Sequence, residues 1–146
     1  MHSKLVSKPV ETRVWIAVLE MGEEAKKSLL SLAKQEGIEA ASFVALGAFE
    51  TATIGYFDWQ KKKYQPIAVH EQVEVIILVG DIVPDEKGKA SLHAHTVLGR
   101  SDGSTRGGHL IEGHVRPTLE ITVTETPAHL TRRKHPELGV ALIETD

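Results

Sequence analysis

The sequence predicts an α+β fold, in which a mixed, largely antiparallel sheet carries one principal helix packed on it. One segment near the N-terminus has helical periodicity, the segments after it are short and rich in β-branched residues, and no second helical pattern separates them. The length of 146 residues and the 41% of hydrophobic residues are typical of one domain with one core. We therefore treat residues 1–146 as a single domain.

The first predicted element is a strand at residues 13–19. Its residues are almost all apolar, and many are β-branched or aromatic, which is typical of a strand covered on both faces. We therefore expect this strand to lie at the centre of the sheet.

The predicted helix spans residues 23–35. Ala25, Leu29, Leu32 and Ala33 fall on one helical face, and acidic residues occupy the first turn, where they stabilise the positive end of the helix dipole. Gly37 stands where a left-handed residue that ends a helix is expected. Both ends of the helix are thus indicated locally.

The other predicted elements are strands separated by residues typical of turns. They span residues 41–48, 51–58, 64–70, 73–83, 89–98, 109–115, 119–124 and 140–143.

The composition excludes several classes of protein. The chain has no cysteine, so a metal would have to be bound by His, Asp or Glu. No stretch approaches the ~20 apolar residues of a membrane span, and the N-terminus lacks the apolar run of a signal peptide. We therefore expect a cytoplasmic protein with no membrane partner. The net charge of −3 gives no strong positive field toward nucleic acid, and two basic runs, at 61–63 and 132–134, are interpreted as solvated loops or strand ends.

Two of the eight histidines, His93 and His95, lie two residues apart in a predicted strand. This spacing places both imidazoles on one face, where they form a pair of ligands suited to zinc, iron or a related metal. The alternative is a pair without metal, with one ring exposed and the other hydrogen-bonded.

A third ligand, His109, depends on the register of the predicted hairpin. With a two-residue loop at Asp102 and Gly103, His109 would lie opposite Thr96 and face away from the pair. With a three-residue loop that starts at Ser101 and has Gly103 in the left-handed conformation, His109 lies opposite His95 on the same face. The spacing of the three histidines favours the second register, in which three imidazoles converge as ligands for a divalent metal.

Two carboxylates are candidates for a fourth ligand or a general base. Glu120 alternates with threonines on a polar strand face, where simple solvation is the alternative, and strand parity does not favour Glu112. The same parity in an uninterrupted strand puts His114 on the face opposite His109, which excludes it from the predicted set.

The motifs resemble those of the plants-and-prokaryotes-conserved domain family over nearly the whole chain. They are Met21-Gly22-Glu23-Glu24, Gly37-Ile38-Glu39-Ala40-Ala41, Ala45-Leu46-Gly47-Ala48-Phe49, Glu74-Val75-Ile76-Ile77-Leu78-Val79-Gly80, Leu92-His93-Ala94-His95 and Gly107-Gly108-His109-Leu110-Ile111-Glu112-Gly113. The resemblance implies a homotrimer that holds a metal, commonly zinc, at His93, His95 and His109.

The resemblance also implies DNA binding, since family members are described as predicted DNA-binding proteins and plant relatives carry an AT-hook. This chain has no AT-hook, and residues 71–74 depart from the Gly-Arg-Phe-Glu motif of the family. Three hypotheses follow: a DNA-associated regulatory module, a zinc-dependent hydrolase or lyase with Glu120 or Glu112 as base, and a trimer that binds a small ligand or protein around a structural metal.

Overall fold

The computed structural model describes residues 12–126 and 130–144. Its elements are β1 Val14–Glu20, α1 Ala25–Glu36, β2 Ala41–Asp58, β3 Lys63–Val69, β4 Val73–Pro84, β5 Ala90–Gly99, β6 Thr105–Glu125, β7 Thr131–His135 and β8 Val140–Glu144.

Strands β1 to β6 form one sheet, and β7 and β8 form a separate hairpin. Every strand pair is antiparallel, and an isolated bridge between Asp85 and Arg132 is parallel. The prediction of a largely antiparallel sheet with one helix is therefore confirmed for the described residues, although strands outweigh the helix more than an α+β label suggests.

The sheet closes on itself. Its order is β1-β6-β5-β4-β2-β3, and β6 also pairs with β2, so β2, β4, β5 and β6 form a circuit of pairings that resembles a barrel. Strands β1 and β3 extend this circuit at its two ends. The interior holds large apolar side chains with almost no exposure, namely Phe49, Leu78, Leu98, Leu110, Val115 and Ile121.

The helix begins and ends close to the predicted bounds. Glu24 is the N-cap, and its carboxylate accepts hydrogen bonds from the backbone nitrogens of Lys26 and Lys27 at 3.1 and 3.0 Å. Gly37 ends the helix in the left-handed conformation, with φ of 64°. The buried face of Ala25, Leu29 and Ala33 packs on β5 and β6.

The predicted central position of the first strand is wrong. β1 lies at one end of the strand order and pairs with β6 alone. Val14, Ile16 and Val18 are 56%, 70% and 54% exposed, so one whole apolar face of β1 is uncovered. Because an uncovered and a doubly covered strand have the same apolar composition, this pattern does not distinguish them.

In two places, a pair of predicted strands forms one long strand in the structure. Residues 41–48 and 51–58 merge in β2, and residues 109–115 and 119–124 merge in β6. Register shifts between these two strands absorb the irregular residues without ending the pairing. At one shift, a Cβ atom on Gly47 would lie 2.3 Å from the carbonyl oxygen of Thr118, so this close approach requires glycine.

No helix in the described part of the chain is long and apolar enough to cross a membrane. The N-terminal residues on which the expected absence of a signal peptide depends lie outside the described residues.

Candidate metal centre

The β5–β6 hairpin has the register that brings the three histidines together. The backbone nitrogen of Arg100 bonds the carbonyl of Ser104 at 2.8 Å, and Gly103 has φ of 80°, so Ser101, Asp102 and Gly103 form a three-residue loop. His95 is consequently the Cα partner of His109. The prediction of a three-residue loop is confirmed.

The three imidazoles converge on the outer face of the barrel. His93 and His95 alternate with Ala94 and Thr96, which are buried and point inward. One ligand nitrogen from each histidine lies within 4.8 Å of the others, and the Nε2 atoms of His93 and His95 are 3.2 Å apart. Two nitrogens at ~2.0–2.1 Å from a tetrahedral zinc would be about 3.3 Å apart, so this spacing fits a shared metal. A hydrogen bond between the two rings fits it as well.

The environment of the rings favours their neutral, metal-binding form. The pKa of His109 is lowered to about 4. Burial is the largest cause of this shift, and the neighbouring His93 and Lys26 contribute to it. Burial, followed by Arg132, also lowers the pKa of His93. Neutral imidazole is the form that binds metals.

His109 offers a further sign that the residues fit a metal. Its Nδ1 atom is buried and has no hydrogen-bond partner among the described residues. A buried ring nitrogen without a partner is costly, and a coordinated cation would remove that cost. The donor chemistry, the spacing and the unpaired nitrogen therefore agree with a metal site.

Residues from three other elements surround the histidines. The ring of Tyr64 on β3 stacks on that of His109, with centroids 4.3 Å apart. Asp81 on β4 is the Cα partner of His93 and forms an ion pair with Arg132 of β7, a residue that is only 6% exposed. The β7–β8 hairpin and β3 thus supply walls of the site.

No local pattern in the sequence indicated that these three residues reach the site. Arg132 belongs to a basic run interpreted as solvated, yet it is buried against β4. Asp81 and Tyr64 reach the site only through strand pairings between residues distant in the chain. The pairing of Asp81 with His93 could have been found by extending the β4–β5 hairpin back from the turn at 84–88, the segment between the predicted strands 73–83 and 89–98.

Neither candidate carboxylate is among the clustered ligand groups. Glu112 is exposed and bonds His114 through Oε1 at 2.9 Å. Glu120 is exposed on β6 between its partners Val18 and Leu46. The structure therefore does not place either carboxylate where the sequence-based hypothesis of a fourth ligand needs it.

His114 also lies outside the cluster, but the parity argument for this was wrong. β6 has one extra residue opposite β2, because Glu112 pairs with Thr53 whereas Leu110 pairs with Ile54. This bulge returns His114 to the face of His109. Distance along the strand separates the two histidines, since four strand steps span about 13 Å.

Three neutral nitrogen donors and no carboxylate define the chemistry of this cluster. Bound zinc held by three protein ligands keeps a fourth position for an exogenous ligand. The walls formed by Tyr64, Asp81 and Arg132 then determine which ligands fit that position.

Solved structures of proteins from archaea and bacteria are similar to this chain. A family model described as the Plants and Prokaryotes Conserved (PCC) domain matches residues 6–127. A plant- and prokaryote-conserved protein from Pyrococcus horikoshii is 33% identical, with a TM-score of 0.87, over 97% of this chain and 99% of that one. No curated protein sequence shows significant similarity.

Two further solved structures bear on the site by their names. A metal-containing protein from Archaeoglobus fulgidus is 28% identical, with a TM-score of 0.86, over 96% of this chain and 98% of its own. A candidate DNA-binding protein from Ralstonia eutropha is 34% identical, with a TM-score of 0.82, over 90% of each chain.

Proposed function

This chain belongs to the Plants and Prokaryotes Conserved domain family, and from that premise we propose that it is a metal-binding protein in which His93, His95 and His109 hold one divalent cation, zinc. The observation that carries the proposal is the convergence of three ligand nitrogens within 4.8 Å. The metal-containing relative from Archaeoglobus fulgidus supports it.

Elemental analysis of the purified protein tests this proposal. We expect one zinc per chain, and we expect His93→Ala to lose it, because two imidazoles alone leave zinc without the three or four protein ligands of stable sites. His114→Ala is the matched control, since this histidine lies on β6 outside the cluster. Full metal content in His93→Ala, or equal loss in both variants, would refute the assignment.

The proposal includes assembly as a homotrimer, the state that the family resemblance implies. Its support is an apolar outer face, formed by Val14, Ile16 and Val18 of β1 with Val44 and Leu46 of β2. These side chains are neighbours across β6, whose Thr122 pairs with both Ile16 and Val44. Exposed apolar patches of this kind mark association surfaces.

DNA association is a second candidate function, favoured by the name of the Ralstonia eutropha relative. In this chain the basic runs have local partners. Lys61 pairs with Asp58, Arg132 with Asp81, and Arg133 with Glu144. Contact with phosphates would therefore compete with these pairs.

Binding to duplex DNA at two salt concentrations tests the second function. Contacts to several phosphates would weaken binding steeply between about 50 and 200 mM salt, because counterions are released. Absence of binding at the lower concentration would remove DNA from the proposal and leave the metal site untouched.

A further inference from the structure

The acid beside the three-histidine site is already engaged in an ion pair within the chain. The donors of the site are imidazoles, which bind metals as uncharged ligands, so a bound divalent cation would keep its full charge. Asp81 is the acid beside His93, and its carboxylate is engaged by Arg132. Because this ion pair has no net charge, it does not compensate the charge of a bound cation.

Two basic side chains border the same region. Arg132 is buried, and its Nε atom has no acceptor among the described residues. Lys26 is half-buried in the first turn of α1, and its ammonium makes no ion pair within the described ranges. Arg132 lies beside His93, because it pairs with Asp81, the Cα partner of His93.

The fold holds Lys26 beside the strand that carries His109. The residue at the N-cap, Glu24, bridges to His114 on β6, and its carboxylate accepts a hydrogen bond from the backbone nitrogen of Gly113 at 3.3 Å. The first turn of α1 is thus anchored to β6 a few residues from His109.

We propose that the open position of this metal site takes a small carboxylate, which Lys26 and Arg132 attract and the cation coordinates. The inference rests on the metal site proposed above and names the ligand class of that site. Exposed Val79 and Val97 flank His95, the first as its cross-strand partner and the second two residues along β5. Such neighbours suit the aliphatic part of a carboxylate better than a fully polar anion such as phosphate.

The test uses cobalt-substituted protein, whose visible absorption band reports on the ligands of the metal. We expect acetate to shift the band saturably, and inorganic phosphate to bind more weakly. Lys26→Met should raise the dissociation constant for acetate about 2- to 5-fold, which is the size expected for one partly screened charge.

Lys27→Met is the matched control, because Lys27 is the next residue on α1 but lines the groove beside Pro84 and Lys89. It should leave acetate binding unchanged. Equal weakening in both variants, or no effect in Lys26→Met, would overturn the role of Lys26. Tighter binding of phosphate than of acetate would overturn the ligand class.

The cobalt content, measured on the same samples, separates this inference from the metal proposal. Protein that holds cobalt but shows no band shift with acetate would refute the carboxylate site alone. Protein that fails to hold cobalt would refute both.

Discussion

The outer face of the barrel carries two regions of different chemistry. At one end, Tyr64 stacks on His109 and the hairpin that supplies Arg132 borders His93, whereas His95 is exposed. On β1 and β2, by contrast, Ile16 and Leu46 are 70% and 61% exposed. The chain partly covers its histidine cluster with its own elements and leaves its apolar face open.

This difference shows which contacts the chain can satisfy alone. Each imidazole finds its neighbours through pairings within one chain. The apolar face of β1 gains burial only from another molecule, and burial is the main source of association free energy. The comparison therefore supports the two proposals, that one region binds a ligand and that the other mediates assembly.

The largest expected effect is the loss of assembly when a charge is placed on the apolar face. Ile16→Asp would bury an unpaired carboxylate in the proposed trimer, which is strongly unfavourable. We expect light scattering to show a threefold lower mass than for the wild type, with far-UV circular dichroism unchanged because Ile16 is exposed within the single chain.

The control for this substitution is Leu142→Asp, on the β7–β8 hairpin, where Leu142 is 42% exposed. It should leave the mass unchanged, since β8 is outside the proposed interface. A wild-type protein that is already monomeric would contradict the division of the outer face into a ligand region and an assembly region.

The second expected effect concerns the loop that sets the register of the histidines. Gly103 has φ of 80°, and a non-glycine residue in the left-handed region costs roughly 1–2 kcal/mol. Gly103→Ala should lower the free energy of unfolding by about that amount in urea titrations. No atom lies within 4 Å of the added Cβ, so the cost is conformational.

Gly103→Asn is the control, because asparagine adopts the left-handed conformation more readily than alanine. It should recover a substantial part of the lost stability. If alanine and asparagine destabilise the protein equally, the positive φ of this loop is not what determines the cost.

The sequence predicted the parts that depend on local chemistry. Glycine at position 103 indicated a turn of two or three residues, and the spacing of the three histidines favoured the longer loop, which places His109 opposite His95. The same holds for the helix, whose end at Gly37 follows from one left-handed residue. Turn and cap residues act through their own backbone, so their effects are legible in a short segment.

Features that depend on distant pairings could not be predicted in this way. The edge position of β1 depends on which strand β6 pairs with, and the face of His114 depends on one extra residue opposite β2. Arg132 reaches Asp81 across 51 residues of chain. No local pattern encodes such contacts, because they form only when the sheet closes.

The smallest expected effect is a pH dependence of stability in metal-free protein. Burial lowers the pKa of His109 to about 4 in the folded state, whereas an unfolded histidine has a pKa of ~6.5. The unfolded chain therefore binds more protons between these values, and the stability present above pH ~6.5 is lost as the pH falls toward 4. After allowance for solvent screening of this partly exposed ring, the loss is on the order of 1 kcal/mol.

His109→Gln removes this titrating group, so urea titrations of metal-stripped protein should show a weaker decline in stability between pH ~6.5 and 4 than in the wild type. His114→Gln is the control, because its ring is outside the cluster and bonds the exposed Glu112, and it should keep the steeper decline. Identical pH profiles for the wild type and His109→Gln would mean that folding does not hold this imidazole neutral. The histidine cluster would then differ from the apolar face in shape, but it would not suppress the charge of the His109 imidazole.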